Sequence, residues 1–180
     1  MLNGKDLAGW KCSEENPDSF KIVEGALVVH GNRAHLFFVG ADNAANFTNF
    51  EFEATFKTME KANSGIFFAT KWQASGWPAH GYEAQVNCSN GDPRKTGSIY
   101  SVKDVMNVAP HKDNEWTKYV ILVKGKTVTI KIDGKVVNEF TEPEDPGHKT
   151  RKLGPGTIAI QAHDPASIVH YKEMRYRVLP

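Results

Sequence analysis

The run Gly81-Tyr82-Glu83-Ala84-Gln85-Val86-Asn87 alternates polar and apolar side chains. Read as a strand, it puts Glu83, Gln85 and Asn87 on one face and Tyr82, Ala84 and Val86 on the other. A second run, Ile158-Ala159-Ile160-Gln161-Ala162-His163, does the same: Gln161 and His163 share one parity, and Ile158, Ile160 and Ala162 share the other. An ionisable group two residues from an amide, on two strands far apart in the chain, suggests one composite polar cleft. Carboxylate, imidazole and amides are the groups that bind sugar hydroxyls and exchange protons with them. The loops on either side of the Glu83 strand add to this. Lys71 to His80 carries Trp72 and Trp77, rings on which a sugar could stack, and Ser89 to Thr96 carries Asp92, Arg94 and Lys95. Loops at the mouth of a sandwich commonly hold binding groups.

Each residue also has a structural alternative. A strand Glu is often solvated, Gln85 and Gln161 could be surface amides, His163 could close a turn before Asp164-Pro165, and Trp77 could only anchor its loop. Glu51 and Glu53 open a different possibility. They alternate with Phe50, Phe52 and Ala54, and such a pair resembles the carboxylates of laminarinase-type glycosidases. A retaining pair needs carboxyls about 5–5.5 Å apart, and strand residues i and i+2 are about 6.5–7 Å apart, so the side chains could just meet. The laminarinase pattern, Glu-x-Asp-x-x-Glu, needs a further carboxylate where this chain has Phe56. A solvated or scaffold role is therefore expected of Glu51 and Glu53.

The elements that must position these groups are almost all strands. Strand-like runs cover Phe20–Glu24, Ala26–His30, His35–Val39, Phe50–Thr58, Gly65–Thr70, Gly81–Asn87, Gly97–Ser101, Thr117–Val123, Thr127–Ile132, Val136–Phe140, Thr157–Ala162 and Ile168–Val178. Val128, Ile130 and Ile132 alternate with Thr127, Thr129 and Lys131, the pattern of a half-buried antiparallel strand. Asp133-Gly134 is a two-residue hairpin signal, and a second hairpin is expected at Lys124-Gly125-Lys126. The last strand changes phase between Tyr171 and Met174, which predicts a bulge near Lys172-Glu173. No long segment has helical periodicity; Asp42 to Asn46 is the best place for a single turn. The fold class read from this is all-β, a two-sheet antiparallel sandwich with little or no helix, spanning residues 1–180 as one domain.

Composition narrows the partners. Lys and Arg number 22 against 21 Asp and Glu, a net charge of +1. With no basic block, nucleic acid and acidic membrane surfaces are poor candidates. No apolar run is long enough for a membrane helix. Met1 stands directly before Leu2-Asn3-Gly4, where the domain already begins. A periplasmic or secreted location with the signal removed is expected, with a cytosolic start left open. Cys12 and Cys88 lack zinc spacing and are read as structural, whether bridged or as two thiols.

Taken in order along the chain, several segments resemble one bacterial family. They are Leu2-Asn3-Gly4-Lys5-Asp6-Leu7-Ala8-Gly9-Trp10, Ala62-Asn63-Ser64-Gly65-Ile66-Phe67-Phe68, Gly81 to Asn87, Lys95-Thr96-Gly97-Ser98-Ile99-Tyr100, Ile160-Gln161-Ala162-His163-Asp164-Pro165 and Val169-His170-Tyr171-Lys172. The family is that of 3-keto-disaccharide hydrolase domains. The resemblance implies a concanavalin A-like jelly roll with the site on its concave sheet, acting on glycosides oxidised to a ketone at sugar carbon 3. It therefore also implies a sugar 3-dehydrogenase working upstream. With the resemblance counted, His163 and Glu83 are the candidate catalytic residues. Gln85, Gln161, Trp77, Lys95, Tyr100 and Asn87 are the candidate substrate contacts. Family members often carry an Arg after the Asn-Ser-Gly-Ile segment, where this chain has Ala69, Thr70 and Lys71; Lys71 or Arg94 could take its place.

The chemistry suits a ketone. A carbonyl at carbon 3 acidifies the carbon 2 proton, so one base can form an enediolate whose collapse expels the carbon 1 substituent, and water then adds. One base, one acid for the leaving oxygen and a group to hold the enolate charge are required. His163 suits the base, because imidazole titrates near neutrality without large perturbation. Glu83 could be the base instead, or could join His163 and an amide oxygen in a sparse site for a divalent ion. No organic cofactor is called for. A non-catalytic carbohydrate-binding module, using Trp72, Trp77 and the amides, is the main alternative, since this sandwich hosts both kinds of protein.

Overall fold

The computed structural model describes residues 1–180. The strands are β1 (Trp10–Cys12), β2 (Phe20–Val23), β3 (Ala26–His30), β4 (Ala34–Phe38), β5 (Phe50–Thr58), β6 (Asn63–Thr70), β7 (Tyr82–Asn87), β8 (Thr117–Lys124), β9 (Thr127–Ile132), β10 (Lys135–Thr141), β11 (Thr157–Ala162) and β12 (Ile168–Val178). They pair antiparallel in two sheets, one ordered β1-β4-β11-β6-β7 and the other β10-β9-β8-β5-β12-β3-β2. This is the expected two-sheet sandwich.

Alternation builds the larger sheet. Phe50, Phe52, Ala54 and Phe56 of β5 face the core while Glu51, Glu53 and Thr55 face outward. The core between the sheets also takes Tyr82 and Val86 of β7, and Ile158 and Ile160 of β11. Asp133 and Gly134 both have positive φ (46° and 79°) between the paired Ile132 and Lys135, the backbone that the favoured two-residue hairpin requires. The β8–β9 hairpin closes at Lys124 and Thr127. In β12 the register with β5 shifts between Lys172 and Arg175, with Glu173 at φ 54°, so the predicted bulge is present.

The five-stranded sheet is different, because β4, β6 and β11 are buried at every position. Its outer face is covered as well, by the loop between β6 and β7. There Trp72 packs on Phe37, Phe67 and Ala159, donates from Nε1 to the Cys12 carbonyl (3.2 Å), and carries the Lys11 ammonium 3.6 Å from its ring.

Two tyrosines tie the layers together. Tyr119 of β8 is fully buried and donates to the Gln85 carbonyl of β7 (3.2 Å). Tyr171 of β12 meets the Ser64 hydroxyl (3.1 Å), which donates to the Gln161 carbonyl of β11 (2.7 Å).

Two expectations need correction, and one strand is added. Gly97–Ser101 is not a strand: the segment lies along β7 through Gly97 N–H to Gln85 O, Gln85 N–H to Ser98 O and Tyr100 N–H to Glu83 O, but Ser101 has φ 56° and the chain turns back at once. Asp42 to Asn46 holds no helix; the single helical turn is a 3₁₀ turn at Pro17–Ser19, opened by Pro. Three-residue β1 was not foreseen, being too short to show a period. The open question of the cysteines is settled by topology. Cys12 lies on edge strand β1 and Cys88 follows opposite edge strand β7, so the two thiols remain free.

Candidate functional site

On the outer face of the smaller sheet a cleft of about 370 Å³ brings together Glu83 and Gln85 from β7, Asn63 and Phe67 from β6, and Gln161 and His163 from β11 and its end. Its rim is formed by Trp77, Tyr100 and Arg151. The volume is in the range of small-molecule sites. The matched alternation of the two polar runs thus produces one cleft.

Glu83 is the deepest ionisable group. Its Oε1 accepts from Gln161 Nε2 across the sheet (3.0 Å). Burial raises its pKa to about 7, with the Gln161 hydrogen bond and the nearby Arg151 charge opposing the rise. Near neutral pH the carboxyl is therefore a mixture of acid and base. Gly65 makes the room: a Cβ there would overlap Glu83 Oε1 and lie 2.9 Å from its Cδ and Cγ.

His163 follows β11 directly. Its Nδ1 is 2.7 Å from Asp164 Oδ2, which also accepts from Ser167 Oγ (2.8 Å), while Asp164 Oδ1 accepts from the Ala166 N–H (2.8 Å). Burial pushes the Asp164 carboxyl up, but the hydrogen bonds from His163, Ser167 and Ala166 outweigh it and hold the pKa below the ordinary carboxylate value. An ionised Asp164 makes His163 Nδ1 the donor, so Nε2 of the neutral ring carries the free lone pair.

The amides point the same way. Gln85 donates to Asn63 Oδ1 (3.2 Å). The Oε1 atoms of Gln85 and Gln161 are buried and meet no protein donor. Buried polar atoms are nearly always paired, so two unpaired acceptors on residues that line one cleft are groups that a ligand's hydroxyls could satisfy once the amides turn toward it. These amide oxygens and the Glu83 carboxylate are the hard donors the cleft could offer a divalent ion. No group of three or more His, Cys, Asp and Glu side chains comes together anywhere in the chain.

Two candidate contacts do not line the cleft. Asn87 is on the Gln85 face, as its parity requires, but the following loop covers it. Its Nδ2 donates to the Asp92 and Arg94 carbonyls (2.9 and 2.8 Å), and its Oδ1 accepts from the Asn90 N–H (3.0 Å). Lys95 is buried in the same loop and donates to Asn90 O (2.7 Å). Both brace the loop carrying Asp92, which in turn holds the Tyr100 hydroxyl (3.1 Å). Nor does Lys71 or Arg94 stand in for the missing family Arg at the cleft. Lys71 is exposed, and Arg94 is paired with Asp92 (3.5 Å) and Asp104 (3.3 Å). The guanidinium at the cleft is Arg151, donating to the Tyr100 carbonyl. It comes from the β10–β11 loop and was not anticipated.

Glu51 and Glu53 are on the other sheet, facing outward. Glu53 pairs with Arg175 (3.0 Å) and Lys118 (3.7 Å), and Glu51 with Arg177 (3.1 Å). Replacing both with Gln is expected to leave turnover within about tenfold, or about 1.4 kcal/mol of barrier. A much larger loss in the folded variant, read by steady-state kinetics, would return them to the chemistry.

The family of 3-keto-alpha-glucoside-1,2-lyase-like domains matches residues 1–178. The chain belongs to this family. A comparison with curated protein sequences gives no match. Among solved structures, a protein of Parabacteroides distasonis provisionally assigned as a glycosyl hydrolase superposes with a TM-score of 0.82 at 21% identity, covering 99% of this chain and 92% of that one. A carbohydrate-binding module, CBM66 of Bacillus subtilis, gives 0.61 at 11% identity over 96% and 97%. An endo-β-1,3(4)-glucanase of family GH16 gives 0.63 at 16% identity over 97% and 86%. These likenesses establish the jelly-roll fold. Family membership gives the chain a carbohydrate-related role.

Proposed function

We propose that the chain cleaves glycosides already oxidised at sugar carbon 3, by elimination followed by hydration. The observation that carries this reading is the pairing, in one cleft, of a carboxyl with a pKa of about 7 and an imidazole oriented by an ionised Asp. Two groups with such different environments are suited to opposite proton-transfer roles.

His163 Nε2 takes the carbon 2 proton, and the electron pair of that C–H bond moves toward the carbonyl to give the enediolate. Arg151, which lines the cleft, holds the developing charge. The enediolate collapses to a carbon 1–carbon 2 double bond, the bond from carbon 1 to the leaving oxygen breaks, and protonated Glu83 gives that oxygen its proton. In hydration the roles reverse: the Glu83 carboxylate takes a proton from water as its oxygen bonds to carbon 1, and His163 returns a proton to carbon 2. Gln85 and Gln161 accept from ring hydroxyls, and Trp77, 47% exposed at the rim, offers an apolar face. A divalent ion, if bound by the cleft oxygens, would add Lewis-acid stabilisation of the enediolate. A sugar 3-dehydrogenase would supply the ketone.

A second reading, a non-catalytic carbohydrate-binding module, is favoured by the exposed Trp77 and the free amide oxygens alone. The two separate on a panel of 3-keto and unoxidised glucosides, incubated with and without chelator. Sugar release from the keto compounds only is expected, and in heavy water the released sugar carries deuterium at carbon 2. Protiated product, with the free product shown not to exchange, would rule out elimination. Binding without release from any glucoside would favour the module.

A further inference from the structure

His35 is a buried group that the proposed reaction does not use. It lies on β4 directly opposite Gln161 in the β4–β11 register. It has no solvent exposure, and neither ring nitrogen meets a protein donor or acceptor. Phe67 stands edge-on to it at 5.3 Å, Trp77 at 5.5 Å, and Phe37 lies at 6.4 Å. An imidazole enclosed by three aromatic rings and bonded to none of its protein neighbours is unusual, because buried polar groups are normally satisfied.

The lid over it has a definite construction. Trp77 lies between Gly76, at φ +80°, and Pro78. The Glu15 carboxylate accepts the Gly76 N–H (3.1 Å) and pairs with Arg33, whose guanidinium lies 5.3 Å from the centre of the Trp77 ring. The main chain around Trp77 is tied down, its carbonyl accepting from Gln73 Nε2 (2.9 Å) and the Ala79 N–H reaching Gln73 Oε1 (2.9 Å). The indole makes only ring contacts, with His163 at 5.6 Å besides those to His35 and Arg33. Almost half of the residue's surface is in solvent, and any movement belongs to the side chain.

We propose that Trp77 is a movable cover and that, when it swings outward, His35 becomes a hydrogen-bonding contact for a second sugar ring bound one strand beyond the open cleft. This rests on the sugar-processing reading given above. Crossing from Glu83 on β7 to His35 on β4 takes three inter-strand steps, about 14 Å, enough for a ring at the chemical groups and another past Gln161. Burial lowers the His35 pKa to about 4, with Arg33 and His163 adding to the fall and Glu15 opposing it. The ring is neutral at physiological pH. One nitrogen then donates and the other accepts, which matches a hydroxyl.

Two measurements test this. Carbethoxylation by diethyl pyrocarbonate, followed at His35 by peptide mass spectrometry, should run at least tenfold faster in Trp77→Ala than in the wild type; a His35 that stays unreactive in both overturns the cover. Binding is read by calorimetry in a His163→Ala background, where cleavage is slow on the timescale of the titration, with a 3-keto disaccharide and a methyl 3-keto-glucoside. His35→Phe should weaken the disaccharide at least fivefold and leave the methyl glycoside unchanged. His35→Gln, which keeps a donor and an acceptor, should recover most of the loss. Equal binding of both ligands by His35→Phe and its parent, with a raised melting temperature, would make His35 a structural residue and overturn the contact. A protein that binds neither ligand overturns the sugar reading itself, an outcome distinct from the other two.

Discussion

His163→Ala is expected to lower turnover of a 3-keto glycoside by about 10²–10⁴, the usual worth of a positioned acid–base group. The loss falls on kcat, because Gln85, Gln161 and Trp77 still line the cleft. The imidazole is held through Asp164, itself fixed by Ser167 and Ala166, so Asp164→Asn should reproduce part of the effect by releasing the ring from its Nδ1–H tautomer. Single-turnover kinetics with the keto glycoside in excess of its binding constant is the check. Unchanged turnover in folded His163→Ala would remove the residue from the chemistry.

Glu83→Gln should give a loss of similar size and change the pH profile. Turnover by the wild type should fall as pH rises through about 7, where Glu83 loses the proton it is proposed to give the leaving group; the Gln variant should show no such limb. Stability supplies an independent readout. The folded pKa lies above the ordinary value of 4.5, so Glu83 favours the fold below pH 4.5 relative to its ionised state, and this advantage is lost as pH climbs through 7. Glu83→Gln should therefore gain stability over the wild type at pH 8 to 9, by about 3 kcal/mol at most, and gain nothing at pH 4. A wild-type profile flat across pH 6 to 8, with identical melting curves at both extremes, would contradict the buried-acid assignment.

The legible parts of this molecule are those where one strand face is wet or lines a cleft. Glu83, Gln85, Gln161 and His163 could be grouped because apolar neighbours of opposite parity framed them, and the β5 and β9 alternation exposed the second sheet in the same way. Where both faces are covered, parity carries no signal. Ala34-His35-Leu36-Phe37-Phe38 reads as a plain core strand, and all five residues are indeed buried, so His35 was not singled out. Asn87 failed for the complementary reason. Its face was correct, but only the path of the 88–96 loop decides that this end of β7 is roofed. Arg151 stands in a 142–156 segment without any period, and its arrival at the cleft depends on how that loop crosses the sheet. Gly65 was part of a matching segment, yet its purpose, leaving space for a carboxylate on the next strand, is a three-dimensional fact.

The hydroxyls of Tyr119 and Tyr171 give the cleft a mechanical dependence on the opposite layer. Each reaches, directly or through Ser64, the main-chain carbonyl of an amide-bearing cleft residue, Gln85 or Gln161. Sliding or spreading of the two sheets would thus be transmitted to the very backbone positions that aim those amides. The seven-stranded sheet, which contributes no side chain to the cleft, acts as its gauge block. Transplanting the cleft residues onto another sandwich would then need the tyrosines and the sheet spacing carried along with them.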